Sequence, residues 1–414
     1  MGSKAKHSKN LFSLFYNWIP FYFVTGIQNL RILVMTNAWE NVSWIAAEAL
    51  NHLEDALIIT QLAGKDCTSE FNSRPNGYAV GSQIDIRTNP VYSAEDFTSS
   101  IVVQDILHAK RNMQIEKHFD VSAQLTAKEK RLNFEGFSET VIKPAAYALA
   151  NKADIYVGTK ILEGAGLYTS AATFTDANDM AQAKKAATYQ QLNPTGRFCL
   201  MNDTLEANLI GATWFNTHQN RGSTGERVLN EGELGRTMGM EFFASLNFPE
   251  GSHTTGSGVG VTDNGSSTLN AVGTSALITD STTGTFNVGD RINIAGVRRP
   301  LIVATATSAT ATSIPLVDPI MEIIPDGAAI TTISSGADYT VNAAIFDDAS
   351  IAVASPMLDP ASDKPTHTVT NNGYSIRVVI GYDMTTKKET ISLDMLLGAT
   401  AYDPRRITLI GDVD

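Results

Sequence analysis

The sequence predicts a mixed α+β fold interrupted by a separate all-β module. Three observations carry this expectation. Apolar residues recur at spacings of three and four over Asn41 to Gln61 and over Asn133 to Glu163, the period of an amphipathic helix. Alternation at Ile84 to Arg87, Tyr374 to Tyr382 and Glu389 to Leu397 is the period of half-buried strands. At about Gly251 the composition turns to Ser, Thr, Gly, Ala and Val, and no helical period returns before Ala337.

The bulk properties are those of a globular chain. Of 414 residues 43% are hydrophobic and 18% charged, room for two or three domains. Cys67 and Cys199 stand in no Cys-x-x-Cys or Cys/His spacing, so two reduced cysteines are expected rather than a disulfide framework or structural zinc. The net charge is -12, with no Lys/Arg-rich run beyond the first ten residues. Non-specific nucleic-acid binding works by neutralising phosphates, so direct gripping of DNA is disfavoured.

Residues 1–34 differ from the rest. Lys4, Lys6 and Lys9 precede an aromatic-rich apolar run, Leu11 to Ile27, in the manner of a signal peptide or anchor. Asn17 and Pro20 interrupt the run, no small-x-small cleavage site follows, and it is short for a span. The preferred reading is an upstream extension outside the fold, with translation or the mature chain starting near Met35. Membrane targeting and a docking arm are the alternatives.

From Asn41 the positions Val42, Ile45, Ala49, Leu53, Leu57 and Ile58 form one helix face, packed either on its own core or on a neighbouring subunit. Ile84 to Arg87, broken by Asn89-Pro90, and Phe97 to Leu107 read as the two strands of an extended hairpin, with strand signal continuing from Met113 to Val121. Asn133 to Glu163 is Ala-rich and helical; Pro144 either starts a new helix or kinks this one, and Gly164 and Gly166 stop it. A helix Ala177 to Gln191 capped by Asp176, a buried strand Arg197 to Met201 and a helix Asp203 to Ala212 complete a mixed α/β region. Ser252 to Ser335 holds β-branched runs at Thr285 to Ile294, Leu301 to Ala306 and Ala328 to Ile333, the pattern of a small barrel or sandwich. A helix at Asp348 to Ala354 and a strand pair turning at Asp383 to Lys388 close the chain.

No catalytic, cofactor-binding or metal-ligating residue is assigned, and no enzymatic activity or cofactor is expected. Gly256, Gly258 and Gly260 lack the strand, helix and acidic residue of a dinucleotide fingerprint. His108 and His118 lie ten apart without further ligands, Asp347, Asp348 and Asp359 read as caps and turns, and Lys128 to Arg131 as a solvated face or an interface. The aromatics from Trp214 to Phe248 do not interleave with basic residues.

Four ordered segments carry a resemblance. Phe137 to Ala146, continued by Ala148 to Asp154, resembles the spine-helix region of tailed-bacteriophage coat proteins, in the P22-like branch of the HK97-like capsid fold. Gly81 to Pro90 resembles the strand entering the E-loop, Val288 to Val297 a strand of that branch's inserted β-domain, and Gly373 to Asp383 with Asp394 to Gly398 its C-terminal strands. The resemblance spans roughly Thr36 to Gly411. It implies an α+β chain with these parts: 1–34 upstream extension; 35–65 N-arm; 66–107 E-loop; 108–163 P-domain strands and spine helix; 164–251 first part of the A-domain; 252–335 inserted all-β domain; 336–370 A-domain return; 371–414 C-terminal P-domain strands. It further implies a major capsid protein that forms hexamers and pentamers with itself. Its partners would be a scaffolding protein and a portal protein, in an icosahedral virion shell built in the host bacterial cytoplasm. The shell would enclose double-stranded DNA without sequence-specific contacts and without a membrane. The Lys–Asn cross-linking constellation of some such shells has no match here, so no covalent cross-links are expected. A phage tail, fibre or adhesin component with a β-rich binding domain is the alternative.

Overall fold

The computed structural model describes residues 38–65, 67–72, 82–87, 97, 101, 110–126, 138–170, 174–189, 194–217, 220, 222, 227–228, 230–232, 234–263, 270–297, 299–333, 338–361 and 364–413. The upstream segment 1–34, most of 66–107, His108, residues 128–131 and the expected helix start at 133–137 lie outside the described residues.

A long helix, Lys143–Gly164, is the backbone of the fold. It is entered through a π-helical turn, Ser138–Ile142, with Pro144 in its first turn. Proline is tolerated in a first turn and here stands where the π-helical turn passes into the α-helix, opening the α-helical run. Its 22 residues extend about 33 Å. Gly164 is the last helical residue, but Ala165 after it is extended, so glycine is not used here as a left-handed cap. Any Cβ at Gly164 would collide with the Ala401 side chain, and the missing Cβ is what lets the helix end close on a strand.

The N-terminal helix, Ala38–Ala56, buries Val42, Ile45, Ala46, Ala49, Leu50 and Leu53 in the same core as Leu149, Ala150, Ala153 and Val157 of the long helix. Of the two readings of its apolar face, the structure adopts packing within the chain. Of the residues read as that face, Val42, Ile45, Ala49, Leu53 and Leu57 are buried, while Ile58 is 38% exposed. Trp44, on the other side, is 55% exposed.

Under these helices lies a sheet of long strands in the order Ile351–Ala354, Lys388–Ala401, Tyr374–Asp383, Thr366–Asn371, with Lys117–Thr126 also paired to Lys388–Leu397. The expected strand pair and its turn are present, with Asp383 opposite Lys388. The helix expected at Asp348 to Ala354 is not. Asp348–Ser350 is one 3-10 turn, and Ile351–Ala354 is a strand buried at every position. Ile351 and Val353 are β-branched and stiff at χ1, and four continuous apolar residues fit a doubly covered strand better than a helix stripe.

A second, seven-stranded sheet runs Leu167–Ser170, Thr408–Val413, Tyr339–Phe346, Arg197–Met201, Met240–Ala244, Arg236–Thr237, with Gly251–His253 alongside the start of Tyr339–Phe346. The helices Ala177–Tyr189 and Asp203–Gly211 share a core with it, through Met180, Ala183, Ala187, Leu205 and Leu209. Asn202 caps the second of these helices by accepting from the Leu205 N–H at 3.0 Å. Thr408–Val413, grouped by sequence with the long strands, belongs instead to this sheet, beside Tyr339–Phe346.

Between His253 and Tyr339 the chain forms six strands in the order Leu301–Ile302, Arg291–Ile294, Ala329–Thr332, Val259–Thr262, Ala276–Thr283, Ser313–Pro315. The two edges meet: Val303 bridges Leu316, the Ala304 N–H donates to the Pro315 carbonyl and Val317 N–H to Ile302, each at 2.9 Å. The sheet therefore closes on itself, and of barrel or sandwich it is a barrel, with no edge left open. Its interior is its own: Leu277, Phe286, Ile292, Ile294, Val303, Ile314, Ile320 and Ile330.

Gln83–Arg87 pairs in register with Lys110–Gln114, from Gln83 opposite Gln114 to Arg87 opposite Lys110. Among the described residues the partner of Gln83–Arg87 is therefore Lys110–Gln114, while the expected strand Phe97 to Leu107 lies, but for Phe97 and Ile101, outside the described residues. Phe97 and Ile101 are 72% and 79% exposed.

Candidate functional site

Among the described residues no group of three or more His, Cys, Asp or Glu is placed to hold a metal ion. His118 is half exposed, with Nε2 3.9 Å from the Asp394 carboxylate, while His108 lies outside the described residues. Gly256 and Gly258 serve packing. A Cβ on Gly256 would strike the Thr285 carbonyl, and one on Gly258 would lie 2.6 Å from the Phe286 ring at the barrel core. Asp347 forms a capping box with Ser350 and pairs with Arg406, while the Asp359 carbonyl accepts from Arg377. Neither cysteine is in a disulfide, and burial pushes the Cys199 thiol up to about 12. No described helix is long and apolar enough to cross a membrane.

What the residues do build is a set of anchors and a set of uncovered apolar surfaces. The first anchor is Asp154, fully buried on the long helix. Its Oδ2 accepts the Ile58 N–H at 2.9 Å; its Oδ1 accepts the Thr60 N–H at 2.9 Å and the Thr60 hydroxyl at 2.7 Å. The buried Tyr374 hydroxyl donates to the Thr60 carbonyl at 2.9 Å, and its own ionisation is pushed far up by burial and then by the Asp154 and Glu54 charges. One carboxylate and one phenol thus fix the turn after the N-terminal helix to both the long helix and the long-strand sheet.

The second anchor joins the barrel to the body. Arg291 leaves the barrel and donates to the Ala165 carbonyl at 2.8 Å, the Leu162 carbonyl at 3.4 Å and the Tyr339 hydroxyl at 2.5 Å. The last carbonyls of a helix have no internal partners and carry its negative end, so a buried guanidinium there satisfies them and complements the dipole. Burial lowers the Arg291 guanidinium, while Tyr339 and Asp290 hold it up. Asp290, completely buried, receives His253 Nε2 at 2.8 Å and the N–H groups of Gly256 and Asn287. Tyr339 stacks on Tyr168 at 3.9 Å between ring centres, so the chain's exit into the barrel and its return are both tied down.

Several large apolar side chains are left uncovered. Tyr147 and Ile155, 40% and 42% exposed, share the outer face of the long helix, and Leu246 is 83% exposed on the turn whose Asn247 amide donates to Asn151 of that face. Met384 is 83% exposed at the turn of the long strands, and Phe97 and Ile101 stand out between the hairpin strands. The anchors were not assigned from sequence. The available signal was a lone acid, Asp154, inside the apolar stripe Leu149, Ala150, Ala153, Val157. Arg291 gave none, since its three acceptors lie over a hundred residues away or on the chain's return from the barrel.

No protein-family model matches the chain, and no curated protein matches its sequence. Solved structures are similar to it in three dimensions. A structure of Mycobacterium phage Che8 is 11% identical, with 86% of this chain and 90% of that chain covered at a TM-score of 0.49. The capsid structure of Cyanophage P-SCSP1u is 12% identical, covering 80% and 84% at 0.44. The virus-like particle from Pyrococcus furiosus is 9% identical, covering 88% and 97% at 0.41.

Proposed function

We propose that the chain is a shell-forming structural subunit, the major capsid protein of a tailed bacteriophage in the P22-like branch of the HK97-like fold. The observation that carries this reading is a hairpin tied down at its base whose apolar residues Phe97 and Ile101 are uncovered in the single chain. A lone two-stranded ribbon is marginal in water, and covering Phe97 and Ile101 on another copy of the chain would bury apolar area that supports it. The sequence resemblance points the same way. Its segments fall, in order, on the hairpin strand, the long helix, a barrel strand and the long strands.

On this reading the long helix is the spine, the hairpin the E-loop, the long-strand sheet the P-domain, the seven-stranded sheet the A-domain and the barrel the inserted domain. Function then needs no reacting group. Assembly free energy comes from many modest interfaces repeated over a closed lattice, and symmetry closes it without an open edge. The partners are further copies of the chain, a scaffolding protein and a portal, with DNA enclosed rather than gripped by a chain of net charge -12.

The test is assembly. The full chain, co-expressed with the scaffolding protein of its own phage, is expected to sediment as closed shells visible by negative-stain microscopy. Trimers or rods would favour the tail or fibre reading instead, and persistent monomers would overturn both. Ladders above monomer size on a denaturing gel would overturn the expectation that the shell lacks covalent cross-links.

A further inference from the structure

We propose that Asp318 of the barrel is a positioning residue for the paired strands Gln83–Arg87 and Lys110–Gln114, acting through Arg111, so that the barrel braces the base of the segment between them. The hairpin's strands are five residues each, and among the described residues the small core beneath them has Ile84, Met113, Ala352 and Ala354 as its buried members. That is little to hold a lever at a fixed angle. The two strands are instead caught at their last two register pairs, Arg87–Lys110 and Ile86–Arg111, next to where the segment 88–109 leaves and returns. On the outgoing strand the Tyr402 hydroxyl donates to the Arg87 carbonyl at 2.7 Å. On the returning strand Arg111 Nη2 donates to Asp318 Oδ2 at 2.5 Å.

Tyr402 belongs to the body, whereas Asp318 belongs to the barrel, and its loop is rigidly part of it. Val317 N–H donates to Ile302 at 2.9 Å and Ile320 N–H to Thr274 at 2.8 Å, with Ile320 in the barrel core. The barrel is in turn fixed to the helix end by Arg291. An unbroken chain of contacts therefore runs from the long helix through Arg291, the barrel, Asp318 and Arg111 to the hairpin.

An ordinary surface ion pair would contribute little. This one is partly withdrawn from water, with side-chain exposures of 18% and 27%, and Arg111 Nε is itself buried. Burial pushes the Asp318 carboxyl up, Arg111 is the main charge that holds it down, and the neighbouring Asp403 and Arg405, themselves a pair, act on it in opposite directions. The role in positioning stands on the single chain, and only its consequence, a shell of defined curvature, rests on the shell reading.

The experiment is hydrogen exchange on the full-length unassembled protein. Asp318→Asn and Arg111→Met are expected to speed exchange at Ile84–Arg87 and Arg111–Gln114 about threefold to thirtyfold, the range for a partly exposed charge-assisted hydrogen bond. Exchange in the barrel core and the long helix should not change. The exchanged pair, Arg111→Asp with Asp318→Arg, should restore much of the protection, which a general loss of packing would not allow. Unchanged hairpin exchange in the single variants, or acceleration spread over the whole chain, overturns the proposal. If the wild type builds no shells at all, the shell reading fails while the exchange result still decides the brace. If it does build shells, Asp318→Asn should broaden their size distribution.

Discussion

Asp154 offers the sharpest test of how the body is held together. It is 0% exposed, and three donors converge on its carboxylate at 2.7 to 2.9 Å. A hydrogen bond to a charged group contributes about 1.5–3 kcal/mol net, so the three sum to roughly 4–9 kcal/mol before the carboxylate's own desolvation is set against them. That desolvation costs several kcal/mol, which leaves a net effect of about 3–5 kcal/mol for Asp154→Ala. Part of the loss is the unpaired Thr60 N–H left inside the core. Asp154→Asn keeps the shape and one acceptor oxygen, which can still serve Thr60, but turns an NH2 toward the Ile58 N–H; it should cost about 2 kcal/mol. Thr60→Val, removing only the hydroxyl bond to the carboxylate, should cost about 1.5–3 kcal/mol. The assay is urea unfolding followed by tryptophan fluorescence and circular dichroism, with amide exchange of Leu57 to Leu62 as the local readout. A large chain can unfold in steps, so the transition that shifts should be the one that releases these amides. Asp154→Ala within 1 kcal/mol of wild type, or more stable than it, would mean that the buried carboxylate is only a desolvation penalty. The anchor argument would then be wrong.

Two further outcomes follow from packing and burial. Gly258→Ala places a methyl 2.6 Å from the Phe286 ring and should destabilise the barrel by about 1–3 kcal/mol or more, seen as a lower melting temperature of the barrel transition with the body transition less affected. Because burial pushes the Cys199 thiol up to about 12, a thiol reagent at neutral pH should label half-buried Cys67 in the native protein and reach Cys199 only after denaturant is added, counted by mass spectrometry. Native labelling of both would show that the core opens readily around Cys199.

The sequence made the periodic parts of this fold legible and left its contacts dark. The long helix, the paired strands around Asp383–Lys388 and the β-rich stretch after Gly251 were readable because apolar period and turn chemistry are local. Asp348 to Ala354 misled because an acidic start followed by small apolar residues suits a helix start as well as a turn into a buried strand, and only the neighbouring Lys388–Ala401 decides. The pairing of Gln83–Arg87 with Lys110–Gln114 was not legible for a similar reason. Lys110, Arg111, Asn112 and Gln114 show little apolar alternation, and they pair because Met113 faces Ile84 over a small core. Thr408–Val413 could equally have extended either sheet. A strand's partner is a tertiary fact, and in a chain with two large sheets no period reveals it.

The barrel's place in the chain makes one last prediction that separates mere insertion from dependence. His253 and Tyr339, where the chain leaves and returns, face each other as register partners in the seven-stranded sheet. A short turn could therefore join them with no change in the sheet, and by loop geometry alone removing 254–338 should be harmless. The contacts argue otherwise. Removal strips Arg291 from the Ala165 and Leu162 carbonyls and from Tyr339, uncovers the Tyr168–Tyr339 stack, and takes Asp318 from Arg111. The capping loss alone should be about 2–4 kcal/mol, from charged hydrogen bonds offset by the desolvation that the arginine no longer bears. Arg291→Met in the full chain should show a loss of that size in urea unfolding, and the deletion a loss at least as large. If the deletion destabilises and Arg291→Met does not, the dependence lies in covered apolar surface rather than in the cap. If neither does, the barrel is a passenger on the fold, and its role must be sought in contacts with other subunits.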